Sequence, residues 1–479
     1  MFGLRVTSRV TKRRLVTLHK QPLHLPPKSP AFAIPNHEVV DEEIFFFPRD
    51  YYPARPGETL GSHYQLLAKI GWGTSSTSLW VTRYRWQSER TVTLKILAGG
   101  NVKSARHDLR IAETIAQKNP SHQGYAVIRK CVESFELKSS DKTHLCHVYE
   151  TMREPMTYFQ QRFENRRMPL PVAKAYIVLL LLGLQYLNAE CRLIHIGKIT
   201  LDLKLANILM TFENDKAIPR FIQEQVLKSP MHCKTDPVTN HTIYRSYNDL
   251  GPMDIDDIGN VLPKIADSGN AWQLDKVDPE TKSQNESVST YPIQPNYYRA
   301  PEVVLGYGWN FSADIWNFGV LVSRSNIHLS IFTVETNPLL SKVWNIIEGT
   351  ELFTQVEDAN GRYDPKSHLA EMIALLGPPP KEVLKRADYM SQLDYSCEIM
   401  IEKGKLGKNA RSIFGGPYFD EEGEAFICGM WKFPHEELIP NRKLEDTILS
   451  LDDSERELFC HLLGICSRGF HRRGKLLVS

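Results

Sequence analysis

Tyr297-Tyr298-Arg299-Ala300-Pro301-Glu302-Val303-Val304-Leu305-Gly306, with Asp314-Ile315-Trp316-Asn317-Phe318-Gly319 after it, takes its meaning from three clusters that stand upstream in a fixed order. The nearest is Lys264-Ile265-Ala266-Asp267-Ser268-Gly269-Asn270-Ala271-Trp272, a strand ending in an aspartate and a glycine. That is the geometry expected of a magnesium ligand at a loop entrance, although alone it is also an ordinary strand end. Further upstream, Asp202-Leu203-Lys204-Leu205-Ala206-Asn207-Ile208-Leu209 supplies a carboxylate, an ammonium and a metal-binding amide within one loop. Asp-Leu-Lys by itself would also fit a solvated turn; Asn207 and the apolar strand behind it narrow the reading. The first cluster is Lys69-Ile70-Gly71-Trp72-Gly73-Thr74-Ser75-Ser76-Thr77-Ser78, between two predicted strands. Glycines at 71 and 73 would let the backbone approach phosphate oxygens, while a lone G-x-G equally suits a hairpin turn. Val92-Thr93-Leu94-Lys95 follows, and a lysine inside an apolar strand is explained by a cation reaching phosphates from the next strand.

The surroundings of these clusters set the architecture. Tyr64–Ile70, Ser76–Tyr84 and Thr91–Ile96 are rich in strand formers and read as an antiparallel sheet with a glycine-rich turn. Arg106–Gln117 has helical spacing, stopped by Asn119-Pro120. A second β region covers about 127–150, and beyond Pro171 the chain reads as mainly helical with long irregular connections. The expected fold class is therefore α+β, a small sheet-rich lobe followed by a larger helical one. Residues 1–50 read as a basic, proline-containing disordered extension, with 51–152 as the first lobe and 153–479 as the second.

Bulk properties exclude several alternatives. The 479 residues carry a formal net charge of only +2, so no global pull toward nucleic acid or membrane is expected. The eight cysteines, scattered from Cys131 to Cys466 without a C-x-x-C pair, suit a reducing intracellular compartment and buried thiols. The most apolar run, Ala175–Leu187, is about thirteen residues long and reads as a core helix too short to span a bilayer. The start of the chain is basic, with no acidic residue before Glu38; it reads as a disordered tail or, alternatively, as a mitochondrial targeting segment. Otherwise the expected location is cytoplasm, nucleus or both.

With Tyr-Arg-Ala-Pro-Glu and Ala-Asp-Ile-Trp in this order after the other clusters, the chain resembles the eukaryotic protein kinases over roughly residues 50–455. G-W-G with Ser76 at the third glycine position, K-I-A-D-x-G-N-A and the Arg299 of the later motif resemble the SR-protein kinases, a branch grouped with cyclin-dependent and MAP kinases. The run His368-Leu-Ala-Glu-Met-Ile-Ala-Leu-Leu-Gly-Pro and the long interval between Asn207 and Asp267 fit the same branch. The resemblance implies a bilobal kinase fold and transfer of the γ-phosphate of ATP, with magnesium, to serine or threonine of arginine–serine-rich proteins. It implies that Lys95 holds the α- and β-phosphates, Asp202 orients the substrate hydroxyl and accepts its proton, and Lys204 neutralises the transferring group. Asn207 and Asp267 would bind magnesium. Ile70, Gly71, Trp72, Gly73, Ser76 and Ser78 would line the nucleotide, Tyr149 would stand at the gatekeeper position, and Glu150 to Met152 would form the hinge. Asp108 would pair with Lys95, Asp314 would brace the catalytic loop, and Arg299 and Glu302 would have structural or regulatory roles. Basic protein substrates are the expected partners, met by an acidic surface to which Asp420, Glu421, Glu422 and Glu424 could contribute. No direct nucleic-acid contact and a monomeric state are expected. Ser287, Ser289 and Thr290 are candidate phosphorylation sites in a segment that could equally be ordered without modification.

The chain departs from the family at several points. Asp108 stands where a glutamate is expected, so its carboxylate would reach Lys95 only if the helix moved inward. Thr93 and Ser78 put hydroxyls where apolar side chains flank adenine. His195 precedes Asp202 with five extra residues, Ser268 replaces an apolar residue, and 211–260 and 321–342 read as insertions. Past about Cys460 the expected arginine partner of Glu302 is missing, with Arg472 and Arg473 as substitutes. These departures keep open a second reading, a pseudokinase scaffold that retains the fold, with or without nucleotide binding, and lacks phosphotransfer.

Overall fold

A computed structural model describes residues 23–29, 32–35, 37–44, 50–61, 64–73, 76–83, 90–99, 102–139, 142–195, 205–236, 242–247, 249–253, 255–274, 289–294, 296–320, 352–395, 398–402, 405–422, 430–448 and 451–453. The chain divides into two compact units. The first comprises 1–117, 129–154 and 210–264, and the second comprises 118–128, 155–209 and 265–479.

The first unit is built on a six-stranded antiparallel sheet. Its strands are β1 (Thr59–Leu60), β2 (Tyr64–Gly73), β3 (Ser76–Arg83), β4 (Arg90–Leu97), β5 (Cys131–Lys138) and β6 (Thr143–Glu150), in the order β1-β2-β3-β4-β6-β5. Helix α1 (Val102–Gln117) joins β4 to the later strands and begins four residues before the span its periodicity suggests. On either side of the glycine turn, Gly71, Trp72 and Gly73 pair with Ser78, Thr77 and Ser76. One apolar cluster, including Leu66, Leu79, Val81, Val92, Leu94, Ile96 and Val148, holds the sheet together.

A second cluster in this unit joins Leu67 and Ala68 of β2 to Phe212, Phe221, Ile222, Val226 and Met231. The interruption at 211–260, expected within the second lobe, therefore belongs to the first unit, because its apolar side chains are buried against β2. The N-terminal extension also differs from the expected disorder over its described part. Ile34 N–H donates to the Cys233 carbonyl at 2.9 Å, and Ile34 and Val40 pack with Ile243. Asp41 accepts from Ser246 N–H and Oγ at 2.9 and 2.7 Å, and its carboxylate pairs with buried Lys69 of β2 at 2.7 Å. A lysine in a buried strand needs such a partner, because an unpaired buried charge is costly.

The second unit is mainly helical. Helix α2 (Leu170–Gln185) starts with Pro171 in its first turn and runs on as a π-type turn through Glu190. Its buried side includes Tyr176, Leu180, Leu184 and Leu187. Residues 164–190 together are long and apolar enough to pass as a membrane span by length and composition, longer than the run apparent in the sequence. Less than half of the most apolar 18-residue window, 44%, is buried inside the protein. Gly124 lies so close against α2 that a Cβ there would fall 1.9 Å from the Leu182 carbonyl oxygen. Further on come α3 (Ser312–Val320), α4 (Pro365–Leu376) and α5 (Lys381–Met390). Asp364 caps α4 through the Lys366 and Ser367 amides, and Gly377, at φ +80°, ends it.

Candidate active site

Four strands of the first unit place a row of polar side chains on one face of the sheet. Ser78 of β3 is opposite Lys95 of β4, Lys95 is opposite His147 of β6, and His147 is opposite Ser134 of β5. Asp108 of α1 faces this row, with its Oδ2 4.0 Å from Lys95 Nζ and 3.9 Å from His147 Nε2. The Lys95–Asp108 pair anticipated from the sequence is thus an ionic contact at the outer limit, short of a hydrogen bond. Thr93, two residues from Lys95 along β4, is buried with no hydrogen-bond partner for its hydroxyl, the departure foreseen from its position.

The turn that would cradle phosphates has glycines that neither packing nor backbone conformation requires. A Cβ at Gly73 would meet nothing within 4 Å, and one at Gly71 only Ser78 Cβ at 3.9 Å; neither residue has positive φ. Side-chain-free backbone with open space beside it suits close approach by an anion. Tyr51 anchors the turn by donating to the Gly73 carbonyl at 2.9 Å. Trp72, Ser76 and Ser78 are in the same hairpin, and Ile70 packs against the second apolar cluster.

The residues expected to form the gatekeeper and hinge lie at the end of β6 and just past it. Tyr149 is paired across from Thr93, and the Arg129 guanidinium lies 4.7 Å from its ring centroid while donating to the Glu150 carbonyl at 3.1 Å. The Glu150 carboxylate forms a close ion pair with Lys264, and Met152 is buried. Next to it, fully buried Arg153 donates from Nη1 to both Glu213 oxygens at 2.8 and 2.9 Å, pairs with Glu154 at 2.9 Å and donates to the Gly251 carbonyl at 3.0 Å. Nothing in the sequence motifs singled out this network.

In the second unit, Asn207 and Asp267, sixty residues apart, are brought together by Ala266 N–H donating to the Asn207 carbonyl at 2.8 Å. Asp267 has left-handed backbone at φ 59°, ψ 41°, a conformation that aspartate tolerates at some cost and that recurs at functional sites. The two side chains offer a carboxylate and an amide oxygen, the hard donors that magnesium takes. Among the described residues no group of three His, Cys, Asp or Glu could hold a metal, so this pair would need phosphate oxygens and water to complete a coordination sphere. Buried His195 stands beside them, its Nε2 3.1 Å from the Ala266 carbonyl, and burial lowers its pKa. Buried Asp314 accepts from His195 N–H at 3.0 Å and from Asn188 Nδ2 at 2.8 Å. Asp202 and Lys204 lie outside the described residues.

The later motif is also built in. Arg299 lies over the rings of Tyr363 and Phe414 at 4.8 and 4.6 Å and donates to the Gln294 carbonyl and Asn296 Oδ1. Buried Glu302 accepts from Ser312 Oγ at 2.7 Å, and among the described residues no cation pairs with it; burial raises its pKa. Ser289 exchanges backbone hydrogen bonds with Trp309, while Ser287, Arg472 and Arg473 are outside the described residues. Of the acidic candidates, Asp420–Glu422 form a strand paired with Met430–Lys432, and Glu424 is outside the described residues.

A scan against models of known protein families finds no match. Among curated proteins, the chain is 29% identical over 351 residues to a serine/threonine protein kinase of Aspergillus fumigatus, covering 73% of this chain and 74% of that protein. It is 26% identical over 347 residues to the serine/threonine-protein kinase SRPK of Physarum polycephalum, covering 70% and 72%. It is 27% identical over 177 residues to mouse SRSF protein kinase 3, covering 36% and 30%.

Proposed function

We propose that this chain, a divergent relative of the SR-protein kinases, is an ATP- and magnesium-dependent protein kinase acting on serine or threonine of basic, arginine–serine-rich proteins. The observation that carries the proposal is the joining of Asn207 to Asp267 through the Ala266 amide, with His195 and Asp314 packed behind them. Residues that merely ended two strands would not need left-handed backbone at Asp267 or a buried carboxylate holding the His195 amide.

In this reading each group has one task. The turn from Gly71 to Ser78 offers its backbone to the phosphates, and Lys95 adds a cation on the same sheet. Asn207 and Asp267 hold magnesium, which when bound supplies charge neutralisation for the phosphates. Asp202 orients the substrate hydroxyl and takes its proton, and Lys204 meets charge on the transferred group. The arginine-rich substrate class rests on the resemblance to the SR-protein kinases, and such substrates would approach an acidic surface by electrostatic steering.

A nucleotide-binding scaffold without phosphotransfer is the second reading. The 4.0 Å gap between Lys95 and Asp108 and the five extra residues before Asp202 favour it. The readings are separated by offering labelled ATP with an arginine–serine repeat peptide and with the same peptide carrying alanine for arginine. The kinase reading expects transfer to the first at least tenfold faster. Equal transfer to both would remove the proposed substrate class, and nucleotide binding without transfer to any protein would establish the scaffold.

A further inference from the structure

Among the described residues the Asp108 carboxylate makes ionic contacts with Lys95 and His147, and the kinase reading accounts only for Lys95. The His147 ring is fully buried, and its Nε2 has no hydrogen-bond partner. At its other nitrogen, Nδ1 is 2.7 Å from Ser134 Oγ. Cys131 Sγ, 3.3 Å from Ser134 Oγ and 3.7 Å from Nδ1, has the Glu133 carbonyl as its acceptor. Burial, the largest influence, lowers the His147 pKa; Asp108 pulls it up and Lys95 pushes it down. A neutral ring facing a carboxylate is favourable only with its proton on that side, so the network assigns the Ser134 hydroxyl as donor to Nδ1 and puts the hydrogen on Nε2.

We infer that His147 is a positioning residue that supplies the second donor for Asp108, so that the short carboxylate sits between imidazole and ammonium where a longer one would need the lysine alone. The two distances, 3.9 and 4.0 Å, are almost equal. One inward shift of α1 by about 1 Å would bring both into hydrogen-bonding range. Closing either contact thus favours closing the other, and Ser134 fixes the tautomer that makes this work. The inference rests on the kinase reading for the task of Lys95, while the Asp108–His147 contact itself does not depend on it.

The test has two arms. In the first, a fluorescent ATP analogue with magnesium is titrated into wild type, His147→Leu, Asp108→Glu and the double variant. His147→Leu is expected to weaken binding at least fivefold. The double variant is expected to bind within twofold of Asp108→Glu, because glutamate reaches Lys95 without help. If His147 only fills space, Asp108→Glu will leave the loss in place, and the inference falls. In the second arm, nitrogen NMR of histidine-labelled protein reads the His147 tautomer with and without Asp108→Asn. The expected result is an Nε2–H ring whose resonance moves in the variant. An Nδ1–H ring, or a resonance indifferent to Asp108, would overturn the inference even if wild type binds no nucleotide.

Discussion

Several buried polar side chains have identifiable partners, so their removal has calculable consequences. Asp314 takes up the His195 amide and the Asn188 side chain in a site closed to water. Asp314→Ala would leave two buried donors unpaired and is expected to cost about 2–4 kcal/mol, read as a lower urea midpoint. Three fully or nearly fully buried histidines, His147, His195 and His368, have pKa values lowered by burial, that of His368 to about 3. They stay neutral in the fold while the unfolded chain protonates them near pH 6.5. Their contribution to stability is therefore present above that pH and lost as the pH falls toward the folded values. Glu302, whose pKa burial raises, acts in the opposite sense and relieves part of the loss at the acid end. The urea midpoint is expected to fall steadily between pH 7 and pH 5; a midpoint unchanged across that window would contradict the burial of these rings. At this scale the motifs pointed to Lys95, Asn207 and Asp267, and the family resemblance added Asp108 and Asp314. The sequence was silent on His147 and Ser134, because their meaning comes from strand register across β4, β6 and β5, which no local pattern encodes.

Segments far apart in sequence are tied by buried ions, and these decide which elements belong together. Arg153, just past the hinge, is locked to Glu213 and Glu154, so the start of the 211–260 segment is fixed to the hinge by charge as well as by Arg153 N–H donating to the Met210 carbonyl at 2.8 Å. Arg153→Met would strand two buried carboxylates and is expected to destabilise the first unit by about 3–5 kcal/mol, measured by chemical denaturation. Asp41→Ala would leave Lys69 without its carboxylate and release Ser246. The expected result is faster proteolysis between residues 23 and 44, and unchanged cleavage would contradict the clamp. The strands and α1 were legible from β-former runs and helical spacing. The clamp was not, since Pro-rich composition at 21–30 describes a linker equally well whether or not it docks. Gly124→Ala tests packing in the other unit: its Cβ would collide with the α2 backbone, so the substitution is expected to lower the melting temperature by several degrees.

Across the whole molecule, the kinase resemblance rests on the order of motifs, and kinases 29% and 26% identical to this chain align along about seven-tenths of it. Composition contributed little beyond excluding a strongly charged protein. The assignment of 211–260 to the first unit was hidden because an insertion's position in sequence says nothing about which surface buries its apolar side chains. Departures from the family pattern near Lys95 and between His195 and Asp202 fall where an active enzyme can least tolerate loss of geometry. The central claim is accordingly chemical. Transfer of labelled γ-phosphate from ATP–magnesium to an arginine–serine repeat peptide, compared between wild type and Asp202→Ala, tests it most directly. The account predicts transfer by wild type and a loss of at least a hundredfold in the variant. No transfer by folded, nucleotide-bound wild type, or equal transfer by both proteins, would contradict it.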